Sequence, residues 1–210
     1  MSAQWAEENL NTIRTLMERA SVYRRALAPV AITVGVLGIA AAGLVEGMEW
    51  PGENNFASYW LGVGVLAVLA ALLLVRRQAL QAKEGFWSPP TRRVVQVIAP
   101  LLLAGLGLGV LEILNTNGHD SIRLIALWMV LYGAALHAAG FFMRRGLKLV
   151  GWIFVILGCI FLCFHTLGEV TWLDEAHAHW VMGWAFGANH LAYGLYLKLT
   201  PEPTEVVGDE

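Results

Sequence analysis

The sequence predicts an all-α integral membrane protein, a six-transmembrane-helix bundle of three hairpins behind a cytoplasmic N-terminal amphipathic helix. Three observations carry this prediction. Only 14% of the 210 residues are charged while 57% are hydrophobic, against about 25% charged in an ordinary soluble domain. The charges are missing altogether from six windows, 26–45, 54–75, 94–111, 124–143, 149–168 and 176–197. The basic residues fall almost wholly on one side of those windows. A helix rising 1.5 Å per residue needs about 20 apolar residues to cross a hydrocarbon core of roughly 30 Å, and each window has about that length. Buried helices of a soluble protein would be shorter and would carry a polar stripe.

Taken in order, residues 2–25 form the amphipathic helix. Leu10, Ile13, Met17 and Ala20 recur at helical spacing, with Leu16 and Tyr23 widening the face. Glu7 and Glu8 come early and Arg24 and Arg25 late, which suits the helix dipole. Such a helix lies on the inner membrane surface, packs on a partner, or folds back on the protein's own cytoplasmic loops. These charged residues contain no apolar stretch of signal-peptide type, so the first span is expected to act as an uncleaved insertion signal. The spans occupy residues 26–198, and residues 199–210 form an acidic cytoplasmic tail.

Orientation follows from the basic residues. Arg14, Arg19, Arg24 and Arg25 precede the first span; Arg76, Arg77, Lys83, Arg92 and Arg93 separate the second from the third. Arg144, Arg145 and Lys148 separate the fourth from the fifth, and Lys198 follows the sixth. Arg123 alone lies on the other side, with Glu46, Glu49, Glu53, Glu112, Asp120, Glu169, Asp174 and Glu175. The positive-inside rule then puts both termini in the cytoplasm. Arg pairs open each odd span, at 24–25, 92–93 and 144–145, a weak threefold pattern that the positive-inside rule largely accounts for. Ser88-Pro89-Pro90 is expected to stop any helix before the third span. The run Gly105-Leu106-Gly107-Leu108-Gly109 suits either a broken helix or close helix packing.

Ionisable side chains inside a span are the strongest pointers to function, because burying them in hydrocarbon is costly. His137 in the fourth span and His190 in the sixth stand at one depth, each roughly 10–12 Å from the basic boundary. Small residues flank both, Gly133, Ala134 and Gly140 for the first, Gly183, Gly187 and Gly194 for the second, so both are expected to face the bundle. Two such imidazoles can ligate haem b axially, hydrogen-bond a quinone, or relay protons; equally, each can bond a neighbouring helix and fix its packing. Tyr132, Asn189 and Tyr193 are near enough in sequence to join a haem, quinone or proton-relay site.

On the acidic side, His165, Glu169, His177 and His179 form a candidate divalent-metal set, with His119 and Asp120 in the preceding outer loop. Their spacing matches no zinc-hydrolase pattern, and solvated loop residues are the plainer explanation. Cys159 and Cys163 share one helix face without a third ligand and are expected to behave as small apolar residues. The chain carries no phosphate-binding Gly loop, nucleophile elbow or His-Glu-x-x-His, and no basic surface suited to nucleic acid. No Asp, Glu, Lys or Arg lies mid-span.

The stretches AEENLNTIRTLMERASVYRR, FWSPPTRRV and LYGAALHAAGFFMRRGLKLVGW resemble a group of uncharacterised bacterial inner-membrane proteins of similar length. The resemblance covers most of the chain. It implies a bacterial inner-membrane location and no particular activity. The expectation is a non-enzymatic membrane scaffold or sensor, surrounded by lipid and meeting a cytoplasmic protein or a second copy through its N-terminal helix. An intramembrane redox protein using His137 and His190, and a small transporter or channel, are the alternatives.

Overall fold

The computed structural model describes residues 27–45, 55–81, 83, 87, 89–116, 118–143, 145–168 and 175–200. The amphipathic segment 2–25, Glu46, Glu49 and Glu53, Glu169, Asp174 and residues 201–210 of the tail lie outside the described residues. Helices are α1 Leu27–Val45, α2 Phe56–Gln81, α3 Pro89–Leu114, α4 Ser121–Ala139 and α5 Arg145–Leu167. A sixth helix, α6 (178–199), runs from Ala178–Met182 through a π-helical turn, Gly183–Ala188, into Asn189–Leu199. There is no strand among the described residues. Five helices, α1 to α5, are long and apolar enough to cross a membrane.

The helix ends follow local chemistry. Pro89 and Pro90 open α3 where the backbone N–H groups have no intrahelical acceptor to lose, so the pair begins a helix. Asp120 caps α4, its Oδ1 accepting from the Arg123 backbone N–H at 2.9 Å, which satisfies one of the free donors of that end. α6 is helical over the predicted sixth window but irregular. Its π turn holds Gly183 and Gly187, which favour a regular helix least. Two side chains compete for the turn's carbonyls. Asn189 Nδ2 donates to the Ala185 carbonyl at 2.6 Å, and His190 Nδ1 lies 2.6 Å from the Phe186 carbonyl.

Glycines decide which helices meet. α4 and α5 run antiparallel in near-backbone contact: a Cβ on Gly133 would fall 2.6 Å from the Gly151 carbonyl oxygen, and one on Gly158 2.9 Å from that of Ala126. α1 and α6 meet in the same manner, with Gly35 against Gly187 and Leu191, Ala42 against Gly183, and Ile32 against Gly194. That order runs in opposite directions along the two helices, so they too are antiparallel. Neither pair belongs to a single predicted hairpin, so the tight contacts do not follow the weak threefold pattern.

α3 continues unbroken through Gly105–Gly109. Gly105 and Gly109, one turn apart, seat the indole of Trp128, which donates from Nε1 to the Gly105 carbonyl at 2.8 Å. Gly107, on the opposite face, has nothing near it. The Gly run therefore serves packing.

Two apolar clusters sit at different levels. One joins Phe56, Trp60, Ile125, Trp128, Met129, Phe154 and Met182. The other gathers Ala31, Ala139, Leu147, Tyr193 and Leu197, with Leu27, Val94 and Ile98 packed against it. This second cluster brings together the starts of α1, α3 and α5 and the ends of α4 and α6. α4 contributes the most buried face, while α2 and α3 leave Leu72, Leu73, Leu103 and Leu111 outside the bundle.

Candidate functional site

His190 lies buried where α6 meets α4 and α5. Its Nδ1 faces a carbonyl, which can only accept, so Nδ1 carries the proton of the neutral ring. Nε2 is then the lone-pair nitrogen, and the Tyr132 hydroxyl donates to it at 2.7 Å. Phe154 and Phe186 complete the box: Phe154 stands 5.6 Å from the imidazole, edge to face, and 5.2 Å from Phe186. The π turn is what makes this possible, since the Phe186 carbonyl it presents holds the ring at the angle that meets α4. Both nitrogens are used within the protein.

His137 faces elsewhere. It follows Tyr132 by five residues, about 140° around the helix at 100° per residue. Its ring meets Trp152 of α5 at 5.3 Å and Phe141 at 5.4 Å, and these contacts include none of the neighbours of His190. Nδ1 is buried and has no hydrogen-bond partner among the described residues. The two histidines therefore occupy separate surroundings.

The acidic-side histidines are also dispersed. His165 Nε2 lies 2.9 Å from Asp120 Oδ2. The Asp120 backbone N–H donates to Glu112 Oε1 at 2.8 Å, and His119 Nδ1 is 3.4 Å from the same oxygen. These bonds fold the α3–α4 loop onto the end of α5, and the partner of His165 is Asp120 of that loop. His179 accepts from Trp60 Nε1 at 3.1 Å through Nδ1, and Phe56 and Tyr59 stand 5.1 and 5.8 Å from its ring. His177 is exposed in the short turn Glu175–His177, and Glu169 lies outside the described residues. Among the described residues no three His, Cys, Asp or Glu side chains are placed to hold a metal ion.

Sequence spacing reached some of this. Tyr132 joins His190, as its position allowed, whereas Asn189 bonds back to its own helix. The Trp60–His179 bond between α2 and α6 has no sequence signal, because the two residues are 119 apart. Cys159 and Cys163 are exposed on α5, sharing an apolar face of that helix with Trp152, Ile156, Ile160 and Phe164.

No protein-family model, curated protein or solved structure matches this chain. The described residues are all helical, and five of the helices are long and apolar enough to cross a membrane. The best-buried imidazole, His190, lies among α4, α5 and α6.

Proposed function

We propose that this chain is a non-enzymatic scaffold or sensor of the bacterial inner membrane. In this reading it crosses the bilayer six times and keeps both termini in the cytoplasm. The N-terminal segment 2–25 meets a cytoplasmic protein or a second copy. The observation that carries the non-enzymatic part is the pairing of His190 with Tyr132 and the Phe186 carbonyl. A side chain buried at such cost and then fully satisfied fixes helix positions and leaves no reactive group exposed. The topology draws support from the antiparallel contact of α1 with α6, which brings Gly194 beside Ile32. With the cluster of Ala31, Leu147 and Leu197, this sets the end of α6 at the same level as the starts of α1 and α5. α6, at 22 residues, spans about 33 Å at the α-helical rise, enough for a sixth crossing. The resemblance noted above supports the location.

Deletion of residues 2–23 tests the functional reading. The shortened protein is expected to reach the membrane and keep its thermal unfolding profile, while losing its native assembly state or a co-purifying cytoplasmic partner. Unchanged assembly, abundance and partners after the deletion would overturn it.

A further inference from the structure

At the basic end of the bundle, four side chains from the α4–α5 junction, His137, Phe141, Lys148 and Trp152, lie together. Lys148 Nζ stands 3.7 Å above the centre of the Phe141 ring. Its stem packs over Gly140, where a Cβ would come within 2.5 Å of Lys148 Cγ, so the ammonium is held in place. None of the described carboxylates pairs with it. Phe141 and Trp152 both contact His137 edge to face and yet are 65% and 52% exposed. Since His137 Nδ1 is buried without a partner, the neutral ring places its proton on Nε2, as a buried N–H left unpaired is the costlier arrangement. Nε2 is then a donor that no described residue uses.

An apolar face of α5 begins at the same place. Trp152 lines it, followed by Val155, Ile156 and Cys159, with no polar surface. Lys148 and Trp152 are one turn apart and share this face of the helix. From Lys148 to Cys159 is eleven residues, about 16 Å along the axis, close to the depth of one leaflet in a hydrocarbon core of roughly 30 Å. The surface therefore pairs a cation and a spare donor at one end with an exposed apolar face of α5 about one leaflet long.

We propose that this surface is a binding site for an anionic phospholipid of the cytoplasmic leaflet, its phosphate held by Lys148 and its acyl chain lying along Trp152, Ile156 and Cys159. The cation calls for a negative charge, the cation–π contact with Phe141 fixes where that charge sits, and the exposed apolar face beside it calls for a chain in place of a free ion. The leaflet assignment rests on the orientation proposed above. The phosphate contact itself does not.

The test is native mass spectrometry of the full-length protein from micelles doped with phosphatidylglycerol or phosphatidylcholine of identical chains. The wild type is expected to retain phosphatidylglycerol preferentially. Lys148→Gln, which keeps the stem over Gly140, lowers that preference about fivefold, the effect of one basic residue at a lipid surface. Lys148→Arg preserves it, and phosphatidylcholine retention, equal in all three proteins, reports intact folding. Equal retention of the two lipids by the wild type, or an undiminished preference in Lys148→Gln, overturns the site. Displacement of the lipid by inorganic phosphate alone overturns the assignment to lipid. Neither result bears on the role of residues 2–23, whose deletion leaves Lys148 and Trp152 in place.

Discussion

Gly133→Ala is expected to destabilise the bundle by about 2–3 kcal/mol, the upper part of the range for forcing atoms into a packed interior. The added methyl would lie 2.6 Å from the Gly151 carbonyl oxygen, 2.8 Å from Phe154 Cβ and 2.8 Å from the Val155 nitrogen. Two of these three are backbone atoms, which cannot turn aside as a side chain can. α4 and α5 must therefore separate, and the separation would also pull Phe154 away from Tyr132 and His190, which it contacts at 5.3 and 5.6 Å. Gly151→Ala acts on the same contact from the other helix, with its Cβ 2.6 Å from the His137 nitrogen. Combining the two is expected to cost less than their sum, because the first already opens the gap. Gly107→Ala is the control. Nothing lies within 4 Å of the added carbon, and helix propensity alone then favours Ala by up to about 1 kcal/mol. Unfolding monitored in mixed detergent separates the cases, and equal stabilities for the Gly133 and Gly107 variants would refute the packing account.

The second large effect is at the Tyr132–His190 pair. Tyr132→Phe removes the donor and leaves a buried lone pair facing an aromatic wall, at a cost of about 1–2 kcal/mol. His190→Leu removes the ring and strands the Tyr132 hydroxyl, at a comparable cost or more. In the double variant neither polar group remains, so the combined loss is expected to fall short of additivity by about 0.5–1.5 kcal/mol. A pair additive to within about 0.3 kcal/mol would mean that the 2.7 Å contact contributes nothing to holding α4 and α6 together. The outcome also bears on function, since a histidine that can be replaced together with its partner at small cost is a packing element.

Charge placement made the helices legible. The window 26–45 became Leu27–Val45, and 149–168 lies almost wholly within Arg145–Leu167. Ion-free stretches mark helices because the energetic cost of a charge in hydrocarbon is large and independent of which way the helix is turned. The same indifference to rotation explains what remained hidden. His137 and His190 were given a common depth by counting residues, but counting carries no angle, and on α4 the five residues from Tyr132 to His137 turn one ring to α6 and the other to α5. Gly133 and Gly187 announced close contacts without naming their partners. The π turn of α6 was not legible either, since it arises from side chains of Asn189 and His190 reaching carbonyls within the same helix. On the acidic side, His165 found Asp120, a residue 45 positions away whose place is set by the cap of α4.

The proposed topology has an even number of crossings with both ends in the cytoplasm, and cysteine accessibility tests it. With Cys159 and Cys163 replaced by Ala, single substitutions Thr116→Cys, Gln81→Cys and Gly208→Cys report the α3–α4 loop, the end of α2 and the C-terminal tail. An impermeant maleimide added to intact spheroplasts is predicted to label the first and to reach the other two only after lysis. Labelling at position 208 from outside, before lysis, would contradict the sixth crossing.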